Sequence, residues 1–152
     1  MSSEGNTPPA EAKSASDAPT GAEIISGFLP QSPFVGHLGI RLQTLSPGRA
    51  VLRLPFRPEL ATIDDIVHGG ALASLVDTAA MAAAWSGADV PDQLRGTTVG
   101  LTISYLAPAH GEDLEAEASV LSRGRNLSFV DVDVRTGSGT AVAKALVTYK
   151  VG

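Results

Sequence analysis

The chain of 152 residues contains no cysteine, which removes disulfides, thiolate metal sites and a cysteine nucleophile together. Histidine is almost as scarce, and its three copies lie too far apart for any zinc-ligand spacing. Aromatic residues make up only 5% while hydrophobic residues reach 43%, so a core has to be packed from Ala, Val, Leu and Ile. There is no basic run: eleven Lys and Arg are scattered against sixteen Asp and Glu, for a net charge of -5. That balance argues against nucleic acid as a partner. No uninterrupted apolar stretch approaches the roughly 20 residues of a membrane span, and the N-terminus has neither a basic n-region nor an apolar h-region. The expectation is a soluble, cytoplasmic protein that needs no metal or redox cofactor and no membrane.

The opening segment, residues 1–21, holds no Leu, Ile, Val or Phe. Such a segment buries too little to offset its ordering entropy and is expected to be a disordered tail. Residues 22–152 remain, enough for one domain. "AEIISGFLPQSPF" (Ala22 to Phe34) predicts a short helix closed by Pro30 or Pro33. From His37 to Arg57 two strands join at Ser46-Pro47-Gly48, with Leu52, Leu54 and Phe56 on one face and Val51, Arg53 and Arg57 on the other. The segment from Gly69 to Ser86 is rich in Ala and free of Pro, which predicts a helix of about five turns. It is apolar nearly all round, hence buried.

Four strands follow. "TTVGLTISYLAPA" groups Val99, Leu101, Ile103 and Tyr105 as one set, and "EDLEAEASVLS" puts Leu114, Ala116, Ala118 and Val120 on a common face. "NLSFVDVDVRT" and "TAVAKALVTYKVG" complete the series across short glycine-bearing turns. The order predicts an α+β fold in which one antiparallel sheet wraps one long central helix.

Chemistry concentrates in "VHGGALASLVDTAAMAAAW" (Val67 to Trp85). A helix start usually carries Ser, Thr, Asp or Asn as its cap, and His-Gly-Gly in that place is expected to leave the first-turn N–H groups open. Glycine lets a ligand approach the backbone, and the helix dipole adds positive potential. That setting suits a carbonyl oxygen that becomes negative during reaction. Asp77 is the only charged residue between His68 and Asp89. A carboxylate placed there needs compensation, either a catalytic use or a hydrogen bond that merely fixes the fold.

Nine residues separate His68 from Asp77, about 13.5 Å of rise and about 900° of rotation. The two cannot act on one atom within one chain, so a shared site requires a two-fold homodimer with two equivalent sites. A Ser-His-Asp triad is not indicated, since no G-x-S-x-G elbow occurs.

"HGGALASLVDTAAMAAA", "TTVGLTISYLAPA" and "SRGRNLSFVDVDV" together resemble the hotdog-fold thioesterase superfamily, specifically the phenylacetate-pathway (PaaI-type) acyl-CoA thioesterases, over Phe34 to Val151. The resemblance implies dimers whose sheets join edge to edge, paired into homotetramers, with the active site at the dimer interface. It implies hydrolysis of a small to medium acyl-CoA, aromatic ones included, to free acid and CoA, with coenzyme A as part of the substrate. By this likeness Gly69 polarises the thioester carbonyl through its N–H, His68 orients the turn, and Gly70 lines the substrate. Asp77 of the other subunit is a general base or a nucleophile, and Thr98 helps place the water or the carboxylate.

Thr62 stands where relatives often carry Asn or Gln and keeps one donor, and Asp65 stands where Gly is frequent. Arg123, Gly124 and Arg125 are expected at the phosphates of CoA, against the plainer reading of a solvated turn. His37 and His110 read as surface residues, and Asp131 and Asp133 as a solvated strand face. Met81, Trp85 and the helix alanines read as core or dimer packing that also lines an acyl tunnel. Two other readings remain: a hotdog hydratase or dehydratase, and a hotdog domain that binds acyl-CoA without turnover.

Overall fold

A computed structural model describes residues 18–152, so residues 1–17 of the tail expected over residues 1–21 lie outside the described residues, while Gly21, the last residue of that segment, is helical. Helix α1 (Gly21–Phe28) opens on a capping box: the Thr20 hydroxyl accepts the Glu23 N–H, and the Glu23 carboxylate accepts the Thr20 N–H. Gly21 is a close-approach glycine, because a Cβ there would lie 2.0 Å from the Trp85 carbonyl oxygen.

A 3-10 turn, Leu29–Gln31, leads into α2 (Pro33–Leu38). Pro33, expected to close a helix, opens one instead, since the first helical position needs no N–H. Gly39, left-handed at φ 76, ends it. The strand expected from His37 therefore starts only at Arg41.

Strands β1 (Arg41–Ser46) and β2 (Arg49–Leu54) form the anticipated hairpin, turned by Gly48 at φ 73. A small hairpin that the sequence pattern does not announce comes next, β3 (Ala61–Ile63) and β4 (Ile66–Val67), with Asp64 at φ 49 in its turn. Asp tolerates that conformation better than most side chains. The long helix α3 (Gly69–Ser86) has the expected bounds. After it come β5 (Gly96–Tyr105), β6 (Leu114–Arg123), β7 (Leu127–Thr136) and β8 (Ala141–Val151). The large sheet runs β1-β2-β6-β7-β8-β5, antiparallel throughout, and packs on α3. This is the hotdog arrangement.

Period-two alternation builds the core. Ala50, Leu52 and Leu54 on β2, Leu114, Ala116 and Ala118 on β6, and Val130, Val132 and Val134 on β7 are all buried, as are Leu75, Val76, Ala79 and Ala83 of α3. Leucines such as Leu52 and Leu75, at 0% exposure, each contribute about 2 kcal/mol of transfer free energy. No helix among the described residues is long and apolar enough to cross a membrane.

Two departures from the sequence pattern shape the surface around α3. First, α3 is not buried all round: Gly70, Ala73, Ser74, Asp77 and Met81 keep solvent access, and their spacing of three and four places them on one stripe. Second, β5 carries a bulge. Thr98 faces Tyr149 on β8 and Gly100 faces Thr148, so Val99 is an extra residue between them. Val99 consequently leaves the set in which Leu101, Ile103 and Tyr105 were grouped.

Candidate active site

The start of α3 is held by four hydrogen bonds. His68, at the N-cap, accepts the Gly70 N–H on its Nδ1 at 2.8 Å, and its carbonyl accepts the N–H groups of Ala71 and Leu72 at 3.0 and 3.2 Å. His68 thus does the capping that its residue type rarely does, a correction to the expectation of a wholly open first turn. The fourth bond comes from outside the helix, where the Tyr105 hydroxyl donates to the Gly69 carbonyl at 3.0 Å.

The Gly69–Gly70 peptide is therefore gripped at both ends, its C=O by Tyr105 and its N–H by His68. One donor of the turn has no acceptor among the described residues, and it is the Gly69 N–H. A Cβ at Gly70 would meet His68 Nδ1 at 2.9 Å and displace the imidazole from its capping position.

Halfway along α3 the Asp77 carboxylate, half-buried, accepts the Thr98 hydroxyl on Oδ1 at 2.5 Å. Its second oxygen has no hydrogen-bond partner among the described residues. Thr98 and Tyr105 are seven residues apart on β5, an odd interval that would send their side chains to opposite faces of a regular strand. Both reach α3 because the Val99 bulge reverses the alternation between them. Eight residues of helix, about 12 Å of rise, still separate Gly69 from Asp77. One chain does not bring its own donor and carboxylate to one atom.

The other expected residues lie around this frame. Thr62 is exposed on β3, in the small hairpin that precedes α3, with no side-chain partner among the described residues. In the same hairpin Asp65 meets His110 Nδ1 at 2.9 Å, so His110 braces the entrance rather than standing alone. Arg123 donates to the Ala84 carbonyl at 2.9 Å, holding the C-terminal end of α3, the end remote from Gly69. Gly124 closes its turn through an N–H bond to Leu127 O, while Arg125 makes no hydrogen bond among the described residues. Asp131 and Asp133 are joined by Lys144 at 2.5 and 2.9 Å.

Tyr105 was missed as a site residue by sequence reasoning, and so was Tyr149. The Tyr149 hydroxyl lies against Trp85 and close enough to Asp77 to feel its charge. No group of three or more His, Cys, Asp or Glu among the described residues could hold a metal ion.

Comparison with known proteins gives a consistent picture. The sequence profile of the thioesterase superfamily matches residues 65–143, a span that contains α3 and most of the sheet. Over 134 residues the chain is 31% identical to acyl-coenzyme A thioesterase 13 of Homo sapiens, covering 86% of this chain and 93% of that protein. Over 139 residues it is 29% identical to a medium/long-chain acyl-CoA thioesterase of Escherichia coli strain K12, covering 82% and 89%. The crystal structure of a thioesterase family protein from Silicibacter pomeroyi superposes with a TM-score of 0.79 at 27% identity, covering 87% of this chain and 99% of that one.

Proposed function

The chain belongs to the thioesterase superfamily, and from that footing we propose that it hydrolyses acyl-CoA thioesters of small to medium acyl size, aromatic acyl groups included, in the manner of the PaaI-type branch. The observation that carries this reading is a single helix with an N–H at its start that has no acceptor among the described residues and an oriented carboxylate at its middle. Those are the two groups that thioester hydrolysis needs.

They converge in a homodimer in which antiparallel copies of α3 lie side by side, so that Gly69 of one copy and Asp77 of the other flank one thioester. Two features support that assembly. The outer edge of β5 pairs with no strand among the described residues and exposes Val99 and Leu101. The stripe Gly70, Ala73, Ser74 and Asp77 offers short side chains next to β5, which bonds the helix through Thr98 and Tyr105. Leu121, Phe129 and Leu146, exposed elsewhere on the sheet, suit the pairing of two dimers into a homotetramer.

In this site the Asp77 carboxylate either takes a proton from a water whose oxygen bonds to the acyl carbon, or attacks that carbon itself and is then released by water. The carbonyl oxygen becomes negative against the Gly69 N–H, where the helix dipole adds to the attraction. The C–S bond breaks and CoA leaves as a thiolate, which at a thiol pKa of about 8.5 needs little help from an acid. Thr98 holds one carboxylate oxygen and leaves the other for the proton or the carbon. Arg125 and the Gly124 turn take CoA phosphates, with Arg123 committed to the helix end.

Thiol release from a panel of short, medium, long and aromatic acyl-CoAs, together with sedimentation, tests the reading. Turnover by a dimer or larger assembly is expected. Full activity in a monomer would overturn the shared site, and tight binding without thiol release would make this a non-catalytic acyl-CoA-binding domain.

Tyr105 gives a sharper check. Because its hydroxyl holds the Gly69 carbonyl, in the peptide that follows the Gly69 N–H, Tyr105→Phe is expected to lower kcat about 3- to 10-fold, the worth of one neutral hydrogen bond, with KM nearly unchanged. A purely structural tyrosine would lower the melting temperature without that asymmetry.

A further inference from the structure

One turn of α3 beyond Asp77 begins a groove of about 940 Å³, lined there by Met81 and by Thr97, the neighbour of Thr98. Helix α1 forms one wall with Ile24 and Phe28, α3 contributes Met81 and Trp85, and Gly96 and Tyr149 close the sheet side. Met81 and Trp85 stand one and two turns beyond Asp77, so the groove runs away from the carboxylate along about 12 Å of helix. An extended hydrocarbon advances about 1.25 Å per carbon, from the C–C length and the tetrahedral angle. The groove therefore has room for a medium-length chain with its thioester at Asp77.

Glu23, Gln31, Arg95, Thr97 and Lys150 line the groove as exposed residues, and one buried group in it is also out of keeping with plain hydrocarbon. Tyr149 is only 4% exposed, and its hydroxyl accepts the Trp85 indole N–H at 3.3 Å. Its own O–H proton has no acceptor among the described residues. Gly96 packs directly against it, since a Cβ at that position would lie 2.5 Å from the hydroxyl oxygen. Burial raises the Tyr149 pKa; the Trp85 bond opposes this, but the Asp77 charge adds to the rise, so the group stays a neutral donor. A buried O–H with no acceptor is costly, and a ligand that supplies one is favoured over a ligand that does not.

Resting on the thioesterase reading, we propose that Tyr149 is a specificity-determining donor, and that the preferred substrate is a medium-length acyl-CoA whose distal part carries a neutral oxygen acceptor. A ketone, ether or hydroxyl oxygen takes the Tyr149 proton beside Trp85, while Ile24, Phe28 and Met81 enclose the rest of the chain.

The test compares octanoyl-CoA with a series of oxo-octanoyl-CoAs bearing the ketone at each carbon of the distal half. At least one ketone is expected to exceed octanoyl-CoA about tenfold in kcat/KM, and Tyr149→Phe should bring that ratio to about one. Gly96→Ala, which crowds the hydroxyl from the strand side, is a second variant expected to reduce the same ratio. Equal turnover of octanoyl-CoA and every ketone by the unmodified protein, or a preference that survives in both variants, overturns the role of Tyr149 and leaves the thioesterase reading intact. No turnover of any acyl-CoA removes both.

Discussion

Asp77→Asn is expected to lower kcat for thiol release by about 10²- to 10⁴-fold, the range for loss of a general acid–base group, while the chain keeps its fold and its association state. The substitution is chosen because asparagine has the same shape. The Thr98 hydroxyl, which donates to Oδ1 at 2.5 Å, can donate to the amide oxygen in the same way, so the change is confined to charge and basicity. Alanine would remove the hydrogen bond as well and mix two effects. Since Asp77 is half-buried on α3, discharging it also relieves desolvation, and the melting temperature should hold or rise. Steady-state thiol release, thermal melting and sedimentation on the same preparation decide the matter. A variant that retains turnover within a factor of about three, the effect of losing a minor contact, would make Asp77 an acid that only fixes the fold.

Deleting Val99 should have an effect nearly as large. The residue makes few claims of its own, being an exposed valine on an edge strand. Its weight lies in parity: without it β5 alternates regularly, and Thr98 and Tyr105 can no longer both face α3. One end of the site must be lost, either the hydrogen bond that orients the carboxylate or the one that grips the Gly69 carbonyl. A fall in kcat/KM of about 10²-fold is expected, the order of loss for a displaced catalytic group, with circular dichroism and core stability largely kept because Val99 is exposed on an edge strand and is no part of the buried core. Val99→Ala is the control. It preserves the bulge and should stay within about threefold of the unmodified protein, as expected for a surface substitution.

The contrast between these two residues shows what a sequence of this kind discloses. Asp77 stood out as the one charge in a long apolar helix, and the bounds of that helix, Gly69 to Ser86, could be read from its alanines and its freedom from proline. The buried faces of β2 and β6 followed from alternation alone. The bulge did not, because an extra residue in a strand leaves the composition unchanged and shows only in the register with β8. The cap on α3 was hidden for a different reason. Histidine is a poor capping residue on average, and it serves here because the glycine after Gly69 leaves room for the imidazole to fold back.

Pro33 was legible as a break but not in which direction, since proline both ends one helix and starts the next. Thr98 came from the family resemblance, whereas Tyr105 and Tyr149 went unnoticed as strand aromatics. A chain with only two tyrosines, each on a strand that flanks the helix, offered a hint in that both hydroxyls would need partners.

The free edge of β5 bears on how such a protein behaves in a test tube. Its ten residues contain no proline, and Val99 and Leu101 are 60% and 40% exposed. Flanking charge is confined to Arg95 at one end and is absent from the strand itself. Strands like this are templates for any other strand that arrives. A second copy in register silences the edge, so the lone chain is the adhesive species. Storage should then follow an inverted rule: dilute stocks lose soluble protein over days, while concentrated ones, with their edges paired, keep.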